Sequence, residues 1–189
     1  MRYHVVLGMI LAGFLGSAQA ADKIEEVAET CNGCHGVKGV SENPAIPSIG
    51  GQYESYLKKV LLNWKTGVSH SETMASLIKD YSEEQIAALA AYYAKKPWTP
   101  VAQKLDANLV KLGENPARRC AGCHGDQGAS HDGETPNLNG QWAEYLEMDT
   151  LKIRDGIIPV TDQRMVKAIK RLSAEEIKAV AAFFASQGK

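Results

Sequence analysis

Two short strings hold the residues best able to do chemistry: CNGCHG at 31–36 and CAGCHG at 120–125. Each sets two thiols three residues apart, with an imidazole directly after the second. C-x-x-C-H reads as an attachment site for c-type haem. Cys31 and Cys34, and likewise Cys120 and Cys123, have the spacing to form thioethers with two vinyl groups on one edge of a porphyrin. His35 and His124 would then reach the iron as its proximal ligand. Three other readings fit less well. A zinc site wants a second pair about 15–20 residues away, and the second C-x-x-C lies 89 residues on. A thioredoxin-like dithiol wants a βαβ setting. A disulfide within each pair explains neither the histidine nor its recurrence.

The recurrence extends well beyond the motif. At an offset of 89, Cys31, Gly33, Cys34, His35, Gly36, Gly39 and Ser41 fall on Cys120, Gly122, Cys123, His124, Gly125, Gly128 and Ser130. Pro47 falls on Pro136, Gly51-Gln52 on Gly140-Gln141, Tyr56-Leu57 on Tyr145-Leu146, and Gly67 on Gly156. Two extra residues then enter the second copy. Met74 meets Met165 and AAYYA at 90–94 meets AAFFA at 181–185. A long period present only twice implies two globular domains rather than a solenoid.

The repeat also selects the second iron ligand. A methionine thioether opposite histidine is the cytochrome c pattern, and it raises the reduction potential. Unit one offers Met74, 39 residues after His35; unit two offers Met148 and Met165. Only Met165 aligns with Met74, whereas Met148 aligns with Lys59 inside an amphipathic segment, where packing explains it. His70 and His131 do not align with each other and lie in polar loops, which suits solvated side chains. Pro47 and Pro136 each follow their histidine by twelve residues. Either is an ordinary loop proline or a carbonyl acceptor that orients the imidazole from its other nitrogen.

These residues need helices to hold them. SEEQIAALAAYYAKK and SAEEIKAVAAFFASQ both open with capping-box spacing, Ser82 to Gln85 and Ser173 to Glu176. GQYESYLKKVLLNWKTG and QWAEYLEMDTLKIRDG carry apolar residues at three-to-four spacing and end at Gly67 and Gly156. DKIEEVAE gives a short helix leading into Cys31. Residues 107–112 give another before Cys120, made irregular by Gly113 and Pro116. The fold class is therefore all-α, with three or four helices per unit and no alternating strand run. The loops between them are long for units of about 80 residues, which bury little core alone. A buried prosthetic group would supply what they wrap around.

The chain ends and composition set the outer limits. Residues 1–20 read as a cleavable secretory signal: basic Arg2, an apolar run too short for a span of ~20 residues, then Ala18-Gln19-Ala20. The expected domains are 21–96 and 105–189, joined by a linker at 97–104 in which Pro97 and Pro100 interrupt helix. Trp98 in that linker either packs between the domains or covers the end of one. Without the leader, 20 basic side chains face 22 acidic ones, and nothing in that balance points to nucleic acid. Localisation is expected to be periplasmic, with no requirement for membrane association.

Taken together, CNGCHG, PSIGGQ, Met74 and AAYYA in unit one, and CAGCHG, PNLNGQ, Met165 and AAFFASQ in unit two, resemble the dihaem class I cytochromes c of the cytochrome c4 type. NPAIPSIGG and DYSEEQIAALAAYYAKKPWTP are similar to the haem subunit of flavocytochrome c sulfide dehydrogenase within that group. The resemblance implies two covalent haem c groups held by Cys31, Cys34, Cys120 and Cys123. It implies His35, Met74, His124 and Met165 as iron ligands, with the Pro47 and Pro136 carbonyls on the haem histidines. It further implies single-electron transfer with no catalytic residue, electrons arriving from an FAD-bearing flavoprotein subunit and leaving to a soluble cytochrome c or a terminal oxidase. A free carrier serving an oxidase is the alternative. A dihaem enzyme, a peroxidase or a thiosulfate-oxidising cytochrome, would need an open position at one iron.

Overall fold

The computed structural model of the chain describes residues 15–69 and 71–188. Among these residues the secondary structure is entirely helical, with no strand. Unit one holds α1 (Leu15–His35), α2 (Glu54–Lys65), α3 (Glu72–Ile78) and α4 (Glu83–Ala94). Unit two holds α5 (Ala107–Ala117), α6 (Ala121–His124), α7 (Ala143–Arg154), α8 (Gln163–Ile169) and α9 (Ala174–Ala185). The final three helices of each unit have matching lengths of twelve, seven and twelve residues. The residues of the proposed leader before Leu15, and His70, lie outside the described residues.

Both capping boxes are complete. The Ser82 amide donates to Gln85 Oε1 at 2.8 Å while the Gln85 amide donates to Ser82 Oγ at 3.2 Å. The Ser173 and Glu176 pair does the same at 2.8 and 3.1 Å. Each box satisfies two otherwise orphaned N–H groups and fixes where α4 and α9 start.

The helix before Cys120 departs from the sequence reading. It continues through Gly113 and Pro116 to Ala117 and breaks only at Arg118–Cys120, so unit two reaches its motif through two helices where unit one uses a single α1. Gly113 marks a close crossing: a Cβ there would stand 2.0 Å from the Ala179 carbonyl oxygen on α9. Glycine lets the α5 and α9 backbones approach more closely than any side chain allows. Pro116 sits in the last turn of α5, where its missing N–H removes only one bond.

Each unit has its own small apolar core. In unit one Ala28, Leu57, Leu89, Ala90 and Tyr93 cluster, with Cys31 and Tyr56 packed against them. In unit two Leu146, Ile153, Ile177, Val180 and Phe184 are among the cluster, with Cys120, Tyr145 and Met165 against it.

The two units meet through bonds that repeat when their members are exchanged. Gln141 donates from Nε2 to the Ser48 carbonyl at 2.9 Å and accepts from the Ser48 amide at 2.9 Å. Gln52 does the same to Asn137, at 2.8 and 2.9 Å. Ser48 and Asn137 are themselves equivalent at the offset of 89, as are the two glutamines. Trp142 Nε1 donates to the Ser41 carbonyl at 3.0 Å, and its equivalent Tyr53 donates its hydroxyl to the Ser130 carbonyl. This is the isologous pattern of a two-fold dimer, built within one chain. The buried polar side chains described are His35, His124 and five seam residues: Ser41, Ser48, Gln52, Ser130 and Gln141. Buried polar groups need partners: the Gln52 and Gln141 side chains find theirs in the other unit, while the Ser41, Ser48 and Ser130 hydroxyls and both imidazoles bond within their own.

The connecting segment runs along this seam. The Pro97–Trp98 backbone lies directly on Gly51 of unit one, while Trp98 Nε1 donates to the Asn139 carbonyl of unit two at 2.9 Å. The Trp98 side chain therefore spans the junction. Beyond it, Gln103 is tied to unit two by Nε2 to the Gln141 carbonyl at 2.9 Å and by Oε1 from the Ala143 amide at 3.0 Å.

Candidate haem sites

Each C-x-x-C-H lies in the final helical turns before a sharp reversal. In unit one Cys31 and Cys34 fall on α1, and in unit two Cys123 falls on α6 with Cys120 at its N-terminal boundary. Residues three apart on a helix share a face, so both thiols of a pair are offered to one side. In each pair the first cysteine is partly buried and the second exposed. Burial pushes the Cys31 thiol up, and pushes Cys120 up to about 11 despite the opposing charge of Arg119. Thiols raised in this way are poor thiolate nucleophiles, which disfavours dithiol redox chemistry. Among the described residues no cluster of three or more His, Cys, Asp or Glu side chains could hold a metal ion.

The chain turns away immediately after each histidine. Gly36 and Gly125 both have positive φ, 78° and 75°. A Cβ at Gly36 would meet the Val40 carbonyl oxygen at 1.8 Å, and one at Gly125 would meet the Ala129 carbonyl oxygen at 2.4 Å. Only glycine fits this reversal, which sends the chain into the long loop that returns to the histidine.

Those loops return at the prolines. Pro47 O lies 2.8 Å from His35 Nδ1, and Pro136 O lies 3.0 Å from His124 Nδ1. A carbonyl only accepts, so each Nδ1 carries the proton and donates. That tautomer leaves Nε2 as a lone-pair donor. Both imidazoles are buried at 7% exposure, and burial lowers their pKa, which keeps them neutral near pH 7. The proline carbonyl opposes this in both units, and Asp132 adds to it for His124. A neutral, oriented, buried imidazole with a free Nε2 beside two thiols on one helical face fits the donor set of a covalent haem.

Met74 and Met165 occupy the third position of α3 and of α8, and both are partly buried. Their helices begin with side-chain caps: Ser71 accepts from the Met74 amide at 3.3 Å, and Asp162 from the Arg164 amide at 2.8 Å. Met148 lies instead on α7, a helix of the seam, also partly buried. His131 is exposed in the loop that carries Asp132.

The sequence did not reveal what Gln52, Gln141, Tyr53, Trp142, Tyr56 and Tyr145 do. Their recurrence at one offset was the available signal, but equivalence does not say that two copies face each other.

Comparison with known proteins agrees with this geometry. The family model described as cytochrome c oxidase, cbb3-type, subunit III matches twice, at 18–92 and 112–184. Cytochrome c4 of Thiocapsa roseopersicina is 33% identical over 74% of this chain and 78% of its own length. The thiosulfate dehydrogenase electron acceptor of Thiomonas intermedia is 32% identical over 77% of this chain and 73% of its own. The crystal structure of reduced recombinant cytochrome c4 from Pseudomonas stutzeri superposes with a TM-score of 0.80 at 26% identity, covering 89% of this chain and 98% of that one. The fold and the paired sites are those of a c-type cytochrome made of two tandem domains, an electron-transfer protein with two covalent haem c groups. The chain belongs to the dihaem cytochrome c4-type family.

Proposed function

We propose that this chain is an exported, periplasmic single-electron carrier. In it Cys31, Cys34, Cys120 and Cys123 tether the haems, and His35 with Met74, and His124 with Met165, are the iron ligands. The observation that carries the reading is the duplicated histidine-to-proline bond, 2.8 Å in one unit and 3.0 Å in the other, which frees Nε2 in both. The bound haem supplies reversible Fe(III)/Fe(II) cycling. The chain orients the imidazoles, excludes water from them and offers a thioether from α3 and α8. A soft, neutral thioether favours the ferrous state, which suits an acceptor of electrons. The domain limits 21–96 and 105–189, with 97–104 as connector, belong to the same proposal.

On the donor side, we favour a dehydrogenase of reduced sulfur compounds. The NPAIPSIGG and DYSEEQIAALAAYYAKKPWTP stretches support a flavoprotein sulfide dehydrogenase subunit, through the resemblance to that group. The relatives named as thiosulfate dehydrogenase electron acceptors support a thiosulfate dehydrogenase as donor instead. A terminal oxidase or a soluble cytochrome c is the acceptor.

A pyridine haemochrome assay on protein matured in the periplasm is expected to give two covalent haems per chain; one or none would refute the reading. Affinity purification from a sulfide- or thiosulfate-grown host distinguishes the donors. A stoichiometric flavoprotein supports the sulfide route, and recovery of thiosulfate dehydrogenase activity without flavin after crosslinking supports the thiosulfate route.

A further inference from the structure

The repeat keeps the motifs but not the charge around them. The approach to Cys120 ends in Arg118 and Arg119, and α8 with its C-terminal turn carries Arg164, Lys167, Lys170 and Arg171. Asp162 is the one acid in these two stretches, 118–119 and 162–171. The equivalent stretches of unit one, 29–30 and 71–80, hold Glu29, Glu72 and Asp80 against Lys79 alone. Six cations and one acid therefore stand where the duplicate has one cation and three acids.

Packing turns these cations outward. Ile169 and Leu172 are buried in the unit-two core, and Met165 packs against it. Arg164, Lys167 and Arg171 recur at i, i+3 and i+7 on the other face, and they and Lys170 are exposed. Arg118 and Arg119 are exposed on the turn between α5 and α6, and their neighbours Ala117 and Cys120 belong to the same core. Both stretches therefore close on the core that carries the motif, whose second thiol, Cys123, is itself exposed. Arg164 is 82% exposed and pairs with Asp162 at 2.6 Å; among the described residues the other five cations make no ion pair. The loop after His124 carries the acids Asp126, Asp132 and Glu134, so the positive charge does not extend around the whole motif.

We propose that this face of unit two, built from the 118–119 turn and the outer side of α8, docks an electron-transfer partner through an acidic surface, and that unit one does not share the role. The inference rests on the dihaem-carrier reading above. Unpaired exposed cations repel one another, and an acidic partner relieves that repulsion while its approach is steered and its orientation fixed. The patch flanks the motif, so whatever it recruits arrives at the redox site. That placement favours a protein that exchanges electrons over an anionic lipid surface, which needs only charge. One electron passes between the partner and the unit-two iron, Fe(II) and Fe(III) interconverting, and no covalent bond changes.

Stopped-flow oxidation of the reduced holoprotein by an acidic copper(II) plastocyanin tests this, over ionic strengths from about 10 mM to about 500 mM. Fe(II) becomes Fe(III) as Cu(II) becomes Cu(I). The wild-type second-order rate should fall about tenfold or more across that range. Lys167→Ser with Arg171→Asp places at α8 the residues that unit one already carries as Ser76 and Asp80. It should slow the low-salt reaction about tenfold and flatten the salt dependence. The reverse exchange, Ser76→Lys with Asp80→Arg, should not slow it. An unchanged rate in the first variant, or an equal fall in both, would overturn the inference. If the first variant matures poorly, polyglutamate should slow the wild-type reaction at low salt, and no slowing refutes the face. Wild type that cosediments with phosphatidylglycerol vesicles while its plastocyanin rate ignores salt would reassign the patch to a lipid surface. Haem content, measured on the same samples, separates the two claims: two haems with a salt-independent rate sink only the docking face, while fewer than two sink the carrier reading.

Discussion

The two units share a template but hold their haem motifs differently. In unit one a single helix, α1, runs to His35, and Tyr93 of α4 locks onto it by donating toward the Ala28 carbonyl at 3.1 Å and Asn32 Oδ1 at 3.0 Å. In unit two the equivalents of Tyr93 and Asn32 are Phe184 and Ala121, which can make neither bond. The helix breaks at Arg118–Cys120, and α5 compensates by crossing α9 at Gly113 without an intervening side chain. Phe184 is 2% exposed and anchors the core. One unit fixes its histidine with a hydrogen-bonded latch and the other with close packing. Both deliver the same histidine-to-proline geometry, which shows that the imidazole's orientation is what the fold maintains.

Substitutions at the equivalent positions should separate the two solutions. The largest effect is expected for Gly113→Ala. Its Cβ would meet backbone at 2.0 Å, so the α5–α9 pair must move apart, at a cost of about 3 kcal/mol or more. Its equivalent Ile24 packs on the unit-one core, and Ile24→Ala should cost about 2 kcal/mol by leaving a cavity. Thermal unfolding of both holoproteins checks the order; a Gly113→Ala protein as stable as wild type would remove the close-crossing argument.

The seam should respond symmetrically where the cores do not. Gln52→Ala and Gln141→Ala each remove a two-bond clamp and strand a backbone N–H and C=O, at roughly 2 kcal/mol apiece. Denaturant midpoints that fall by similar amounts fit the two-fold description, and a large loss for one alone breaks it.

Smaller effects come from the latch and the loops. Tyr93→Phe, which imports the unit-two residue into unit one, should cost about 1 kcal/mol, while Phe184→Tyr gains less than that because Ala121 has no side-chain acceptor to match Asn32. Last comes pH. Asp132, bonded to Ser130, Glu134 and Thr135, is held down at about 2. A depressed carboxyl stabilises the loop above its unfolded value and loses that contribution as pH falls toward 2. The protection of the Glu134 and Thr135 amides, measured as exchange relative to an unstructured amide at the same pH, should therefore fall on acidification, with no counterpart at Ala45 of unit one, whose amide is held by neutral Asn43.

Much of this was written in the chain. Motif spacing marked both attachment strings, the capping boxes marked the starts of α4 and α9, and the repeat placed Met165 on the equivalent of Met74 and left Met148 inside an amphipathic helix. The twelve-residue spacing of His35 to Pro47 left the proline's role open, since sequence separation does not say that a loop turns back. Gly113 was misread as a disruption because a glycine at a helix crossing and a glycine that ends a helix look alike without the partner. The seam was the least legible part. A repeat reports which residues correspond, and the crossed pairing of Gln52 with Asn137 and Gln141 with Ser48 depends on how the two copies dock.

The central claim is that the chain holds two equivalent haem sites whose sixth ligands are the aligned methionines. Potentiometric titration of Met74→Ala, Met165→Ala and Met148→Ala tests it most directly. Each of the first two should lower the potential of one haem and leave the other nearly unchanged, and Met148→Ala should leave both near wild type. A haem potential that falls in Met148→Ala but not in Met165→Ala would contradict the account.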